Sequence, residues 1–321
     1  MSKGTVGTGW NLVWRHKKIL FWVFAVNLLL GALATNGPRL EFSSVLDHRM
    51  QSARLANGFD LGTFVELVSR PDINMTAPIQ GSILYSGLFF LFMLFIVGGI
   101  LTAYREDRPL FAGEFFGASG EYFWRMVRIF LMSLIPYAGV AAVTAIIFAI
   151  ASGSASEKTA FQIRMLGVGI GIVLVLFVRL WFDVAQVRAV AQNEHGMFRD
   201  LLRAFAISLR GLGTLLWMYL RISIVAWVLL WLGLWTWNRL PGNQVWATWL
   251  LLEVVMFTQV FARLWQRAAS VRWYGIYAEE HPVAVVEFTT PHPVEITEPR
   301  GPSPSPDPDA ESIPPSIPPT A

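Results

Sequence analysis

The stretch Ile83–Tyr104, ILYSGLFFLFMLFIVGGILTAY, is an uncharged run that stops abruptly at Arg105, Glu106, Asp107 and Arg108. Wound as a helix it is about 33 Å long, enough to cross a hydrocarbon layer of ~30 Å. Five more runs of this kind surround it, at Ile19–Thr35, Ile129–Ala151, Gln162–Phe182, Gly213–Trp237 and Trp246–Leu264. Hydrophobic residues make up 54% of the 321 and charged residues 15%, where a soluble domain carries about 25% charged. Backbone polar groups in lipid need partners within their own segment, and these runs are too long to be barrel strands. The chain therefore reads as an all-α polytopic membrane bundle of six transmembrane helices.

Charge gives the orientation. Residues 279–321 hold one base, Arg300, against eight acids, while the rest of the chain holds 24 bases against 14 acids. The bases flank apolar runs instead of forming a stripe facing water, so anionic lipid headgroups are the expected counter-charge, with no nucleic acid as partner. Fifteen Lys and Arg residues fall on the side of the N-terminus, the second and fourth loops and the last helix end, against seven on the other side. The positive-inside rule then puts both termini in the cytoplasm. The sequence divides into a cytoplasmic amphipathic segment at 1–18, a six-helix domain at 19–268 with an outer loop at 36–81, a juxtamembrane segment at 269–280 and a Pro-rich tail at 281–321. Lys17, Lys18, the first apolar run and Ala32-Leu33-Ala34 also imitate a cleaved signal peptide. The long amino-terminal region with Trp10, Val13 and Trp14 at helical spacing favours a retained anchor.

Three runs are entered through short amphipathic segments: Trp10–Lys18, Glu114–Arg128 and Met197–Arg210. In the last, Leu201, Leu202, Phe205 and Leu209 share a face opposite Arg199, Arg203 and Arg210; in the middle one Phe115, Tyr122, Phe123, Met126 and Phe130 oppose Arg125 and Arg128. Such helices lie in the membrane interface, which predicts three hairpins, each preceded by a cytoplasmic interfacial helix. Gly117–Gly120 and Asn193-Glu194-His195-Gly196 read as the breaks between elements. In the outer loop, Leu46, Met50 and Ala53, then Leu61, Val65 and Val68, suggest two short helices, the second capped by Asp60.

Ionisable groups inside the runs are the candidate functional residues. Glu253, near the middle of the last run, costs on the order of 2.5–3.5 kcal/mol to insert unless paired or hydrated. Asn27 falls at nearly the same depth, so an Asn27–Glu253 hydrogen bond holding two helices together is one reading and a proton or cation relay another. Arg179 and Asp183 stand four apart on one face, with Arg221 and Gln259 at a similar level. They read either as a polar cluster or as Arg side chains snorkelling to the headgroups.

Other motifs lead away from chemistry. Gly167, Gly169 and Gly171 lie inside an apolar run with no strand before them, so they make no dinucleotide loop, and Gly167 and Gly171 suit close helix packing. Pro136 is a kink position. The histidines His16, His48, His195, His281 and His292 show no metal-ligand spacing, cysteine is absent, and no nucleophile elbow occurs. Catalytic, cofactor-binding and metal roles are thus unassigned, and no cofactor is expected. Asn74-Met75-Thr76 matches a glycosylation acceptor only in a secretory eukaryotic setting. Trp231, Trp235, Trp237 and Trp246 fit an interfacial belt. Twelve of the 18 prolines follow His281, in a tail expected to be disordered or polyproline II, either plainly solvated or docking a protein partner.

The aromatic, basic entry Trp10–Leu30, the long outer loop and the Arg-bearing stretch Asp183–Leu220 resemble bacterial six-helix integral membrane proteins of unknown function, and distantly the membrane domains attached to some glycerophosphodiester phosphodiesterases. The likeness covers about residues 8–275 and is one of architecture. It implies a membrane domain; without the soluble phosphodiesterase domain and its metal-binding carboxylates it transfers no catalytic residue. The expected role is a non-catalytic scaffold or accessory membrane component, with a small-solute or lipid transporter using Glu253 and the Arg179, Asp183 and Arg221 region as the alternative. A membrane-embedded enzyme is a third reading, marked by polar groups converging at one depth.

Overall fold

Long apolar segments that must satisfy their own backbone become helices, and the described part of this chain is helical throughout. The computed structural model describes residues 2–46, 62, 65–66, 69, 76–154, 156–192, 197–241 and 244–281. Its long helices are α1 (Ser2–Arg15), α2 (Lys17–Leu46), α3 (Thr76–Glu106), α4 (Ala112–Ser152), α5 (Glu157–Gln192), α6 (Met197–Arg210), α7 (Leu212–Trp237) and α8 (Val245–Glu280). Six of them, α2, α3, α4, α5, α7 and α8, are long and apolar enough to cross a membrane, so the protein is membrane-embedded.

Chain neighbours pack in opposite directions. Ser82 at the start of α3 donates to Ala34 O on α2 at 3.0 Å, while Arg15 beside the start of α2 meets Asp107 just past the end of α3. The Phe90 and Phe130 rings meet at a tilt across α3 and α4, with ring centres 4.7 Å apart. Gly167 and Gly171 of α5 face Ile147 and Thr144 of α4, so closely that an added Cβ at Gly167 would lie 2.7 Å from the Ile147 side chain. The close packing expected at Gly167 and Gly171 is thus found, and Gly169 faces open space. Helix α8 is the centre of the bundle, packing against α1, α2, α3, α5 and α7.

Several boundaries differ from expectation. Helix α2 runs through Asn36, Gly37 and Pro38 to Leu46, past the expected end at Thr35 and into the expected outer loop. The segment Glu114–Arg128 is no separate helix, and Gly117 to Gly120 makes no break: all lie within α4, which is 41 residues long, or about 60 Å by the usual helical rise. A glycine in a helix costs only about 1 kcal/mol, and the stretch is braced by α3, where Gly98 and Gly99 let Phe115, Ser119 and Tyr122 approach the backbone. Pro136 lies inside α4, and the helix continues through it. Residues 269–280, expected as a separate juxtamembrane segment, continue α8. Of residues 47–68, where two short helices are expected, only 62, 65 and 66 are described, and they are helical; the Asp60 cap, Asn74, His48, the break at 193–196, His292 and the tail beyond His281 lie outside the described residues.

Burial is lopsided. Fully buried side chains gather where α2 begins, α3 ends, α5 ends and α8 ends, among them Leu20, Ile100, Tyr104, Arg188, Leu264 and Ala268. At the other end Leu33, Ile83, Ile146, Leu166, Trp231 and Trp246 stand exposed, as suits side chains whose solvent is lipid.

Candidate functional site

A buried polar network joins α5, α7 and α8. Asp183 of α5 accepts from Arg263 of α8 through both guanidinium nitrogens, at 3.0 Å each, and from the Tyr219 hydroxyl of α7 at 2.9 Å. The Tyr219 oxygen also lies 2.7 Å from Ser270 Oγ on α8. One turn deeper, Arg179 donates to Gln266 Oε1 at 2.8 Å, and Gln266 Nε2 donates to Ser223 Oγ on α7 at 3.1 Å. Helical spacing explains the assembly: 179 and 183, 219 and 223, and 263, 266, 267 and 270 each share a face. The Asp183 side chain is 6% exposed. Its charge is neutralised by a two-bond guanidinium clamp, an arrangement of high geometric specificity.

Charged residues at the same end serve as ties between elements. Asp107, in the left-handed conformation with φ 53°, accepts from Arg15 at 2.6 Å and from Arg272, which joins the ends of α1, α3 and α8. Aspartate is among the few non-glycine residues that tolerate this conformation. The last turn of α5 leaves carbonyl groups that its own helix cannot fill. Arg105 of α3 donates to Val190 O at 2.7 Å and Arg125 of α4 to Ala189 O at 3.3 Å. Arg188 pairs with Asp200 across α5 and α6 at 3.5 Å, both side chains buried. Trp265 of α8 donates through Nε1 to Val6 O at 2.8 Å and packs edge-on against Trp10, fastening α1 to the bundle.

The six residues singled out from sequence fare differently. Arg179 and Asp183 belong to the network. Arg221 instead lies over the Trp217 ring, 4.8 Å from its centre, and Gln259 donates to Ala226 O at 3.2 Å. Glu253 and Asn27 are half-buried, and no hydrogen bond joins them among the described residues. The network members that sequence reasoning passed over are Tyr219, Ser223, Arg263, Gln266 and Ser270. Their signal was present: R-x-x-Q-R-x-x-S over 263–270 places four polar side chains on one helical face beside an apolar run. His16, between α1 and α2, is 6% exposed and packs edge-on against Tyr104 at 5.7 Å. Burial lowers its pKa below the ordinary value, with Asp107 opposing and Arg15 reinforcing that shift.

No family model matches the chain, and neither a curated protein nor a solved structure matches it.

Proposed function

We propose that the protein is a non-catalytic scaffold or accessory component of a bacterial inner membrane, with both termini in the cytoplasm. The observation that carries this reading is the closed network around Asp183. A carboxylate with its acceptor sites filled by Arg263 and Tyr219 acts as a tie between three helices, and its polar partners are engaged with one another. The interfacial part of the reading rests on exposed apolar side chains. Phe198, Leu202 and Leu209 stand outward on α6, Trp14 on α1, and Phe116 and Trp124 on the first part of α4. Exposed Lys17, Lys18, Arg128, Arg199 and Arg210 lie on the same segments, as anionic headgroups require. Three hairpins, each led by such a segment, complete the picture. The architectural likeness to phosphodiesterase-linked membrane domains agrees with a supporting role, and the tail offers a site for a cytoplasmic protein partner.

Glu253 favours the second reading, a small-solute or lipid transporter, because this half-buried carboxylate makes no ion pair among the described residues. Flux in sealed proteoliposomes decides between them, read with a pH-sensitive dye for protons and with labelled phosphate. Under the scaffold reading both fluxes equal those of empty vesicles, and Glu253→Gln changes neither flux nor melting temperature. Flux above that baseline that Glu253→Gln abolishes would make the protein a transporter.

A further inference from the structure

We propose that Arg267, Tyr104 and His16 form an internal binding site for a phosphate-type oxyanion, reached through the cleft between α3, α5 and α8. The inference concerns a different set of side chains from the Asp183 tie and does not rest on the scaffold reading. Arg267 Nε and Nη1, Tyr104 Oη and His16 Nε2 are all buried, and none meets a hydrogen-bond partner among the described residues. Relative exposures are 8%, 0% and 6% for the three residues. Each orphaned group is costly, and a charged one most of all, so three on separate elements gathered together call for a ligand that completes them.

Two of the three side chains are in direct contact. The His16 and Tyr104 rings meet edge-on at 5.7 Å. Leu101 and Arg105, which bracket Tyr104 on α3, line one cleft together with Val271 and Tyr274 of α8. Tyr104 and Arg267 also interact electrostatically.

The donor inventory selects the sign of the ligand. A guanidinium only donates, a tyrosine hydroxyl has its proton free, and His16 Nε2 donates in one of its tautomers. The charge balance agrees, because Arg179, Arg263 and Arg267 all act on the single carboxylate of Asp183, leaving positive charge in a medium of low dielectric. A planar guanidinium matches two oxygens of a phosphate.

The proposed way in is a cleft of about 180 Å³, whose lining does not include Arg267, Tyr104 or His16 themselves. Its α8 wall, Val271, Tyr274 and Ala278, stands four, seven and eleven residues beyond Arg267 and so on the same helical face. Arg105, whose guanidinium donates to Val190 O, stands on the opposite wall, and apart from Tyr274 the remaining lining is apolar. This composition receives either a free phosphate or the phosphate of a lipid headgroup.

The test measures the melting temperature of delipidated full-length protein in neutral detergent at fixed ionic strength, with inorganic phosphate titrated against chloride. A parallel arm compares nanodiscs of phosphatidylglycerol and of phosphatidylcholine. A ligand that binds the native state raises the melting temperature in proportion to its saturation. The expected result is a rise with inorganic phosphate, which assigns the free ion, or with phosphatidylglycerol alone, which assigns the headgroup. Arg267→Gln should abolish the response. Tyr104→Phe, which removes an orphaned hydroxyl, should leave the ligand-free melting temperature unchanged or raise it, and require several-fold more ligand for the same rise. If Arg267→Gln does not fold, Tyr104→Phe decides. No rise in either arm, equal rises with phosphate and chloride, or an unaltered response in Tyr104→Phe would each overturn the site.

Discussion

Asp183 is the residue whose loss the bundle should feel most. Asp183→Asn leaves Arg263 without its counter-charge, and breaking a buried pair from one side costs about 3–5 kcal/mol. Tyr219→Phe removes one hydrogen bond to the same carboxylate, and a loss of about 1–3 kcal/mol is expected. Thermal unfolding in detergent checks both, and the order of the two losses is the point at issue. Half of this site was legible in the sequence. The four-residue spacing of Arg179 and Asp183 announces itself in an apolar run, because ionisable groups there stand out. Arg263 does not, since it lies at the edge of an apolar run and reads as a charge that orients the chain. Tyr219 and Ser223 are ordinary residues in a membrane helix, and only the crossing of α7 and α8 gives them a role. The Asn27–Glu253 pairing came from estimated depth alone, and depth does not fix which way a side chain turns around its helix.

At the level of the helices, glycine positions separate packing from propensity. Gly99→Ala would push a methyl group to 2.7 Å from Phe115 O, a backbone atom that cannot swing aside, and about 1–3 kcal/mol of overpacking strain is expected. Gly117→Ala meets open space in the same helix pair and should be neutral or stabilising by up to about 1 kcal/mol. Comparing the two melting temperatures tests whether Glu114–Arg128 is braced against α3 as part of one continuous α4. The sequence showed the existence and order of the six spans because their hydrophobicity is long and uninterrupted. It hid the true helix ends, since a helix leaving the lipid keeps its backbone bonds while its side chains turn polar. Trp265→Phe tests the fastening of α1. Losing the bond to Val6 O should cost about 1 kcal/mol and raise the rate of proteolysis within α1, read by mass spectrometry of the released fragments.

Across the whole molecule, His16 sets an acid limit. Its folded pKa lies below the ordinary value of 6.5, so below that pH the unfolded chain binds the additional proton and stability falls. The loss begins near the ordinary value and is complete once pH drops below the lowered folded one. Tyr104, Asp107 and Arg15 are the groups facing or acting on the ring. His16→Gln removes this contribution, so its melting temperature should vary less between pH 7 and pH 5 than that of the wild type.

The concentration of buried side chains at one end also dictates how the chain responds to force. Single molecules pulled out of a bilayer from the loop joining α4 to α5 would first peel off turns held by lipid and by the apolar packing of α4 on α5, at low tension. Pulled from Glu280, the same molecules must rupture the clamp on Asp183, the bridges to Asp107 and the Trp265 latch before anything yields. The force record should therefore depend on the point of attachment, beginning with a tall peak in one direction and ending with it in the other.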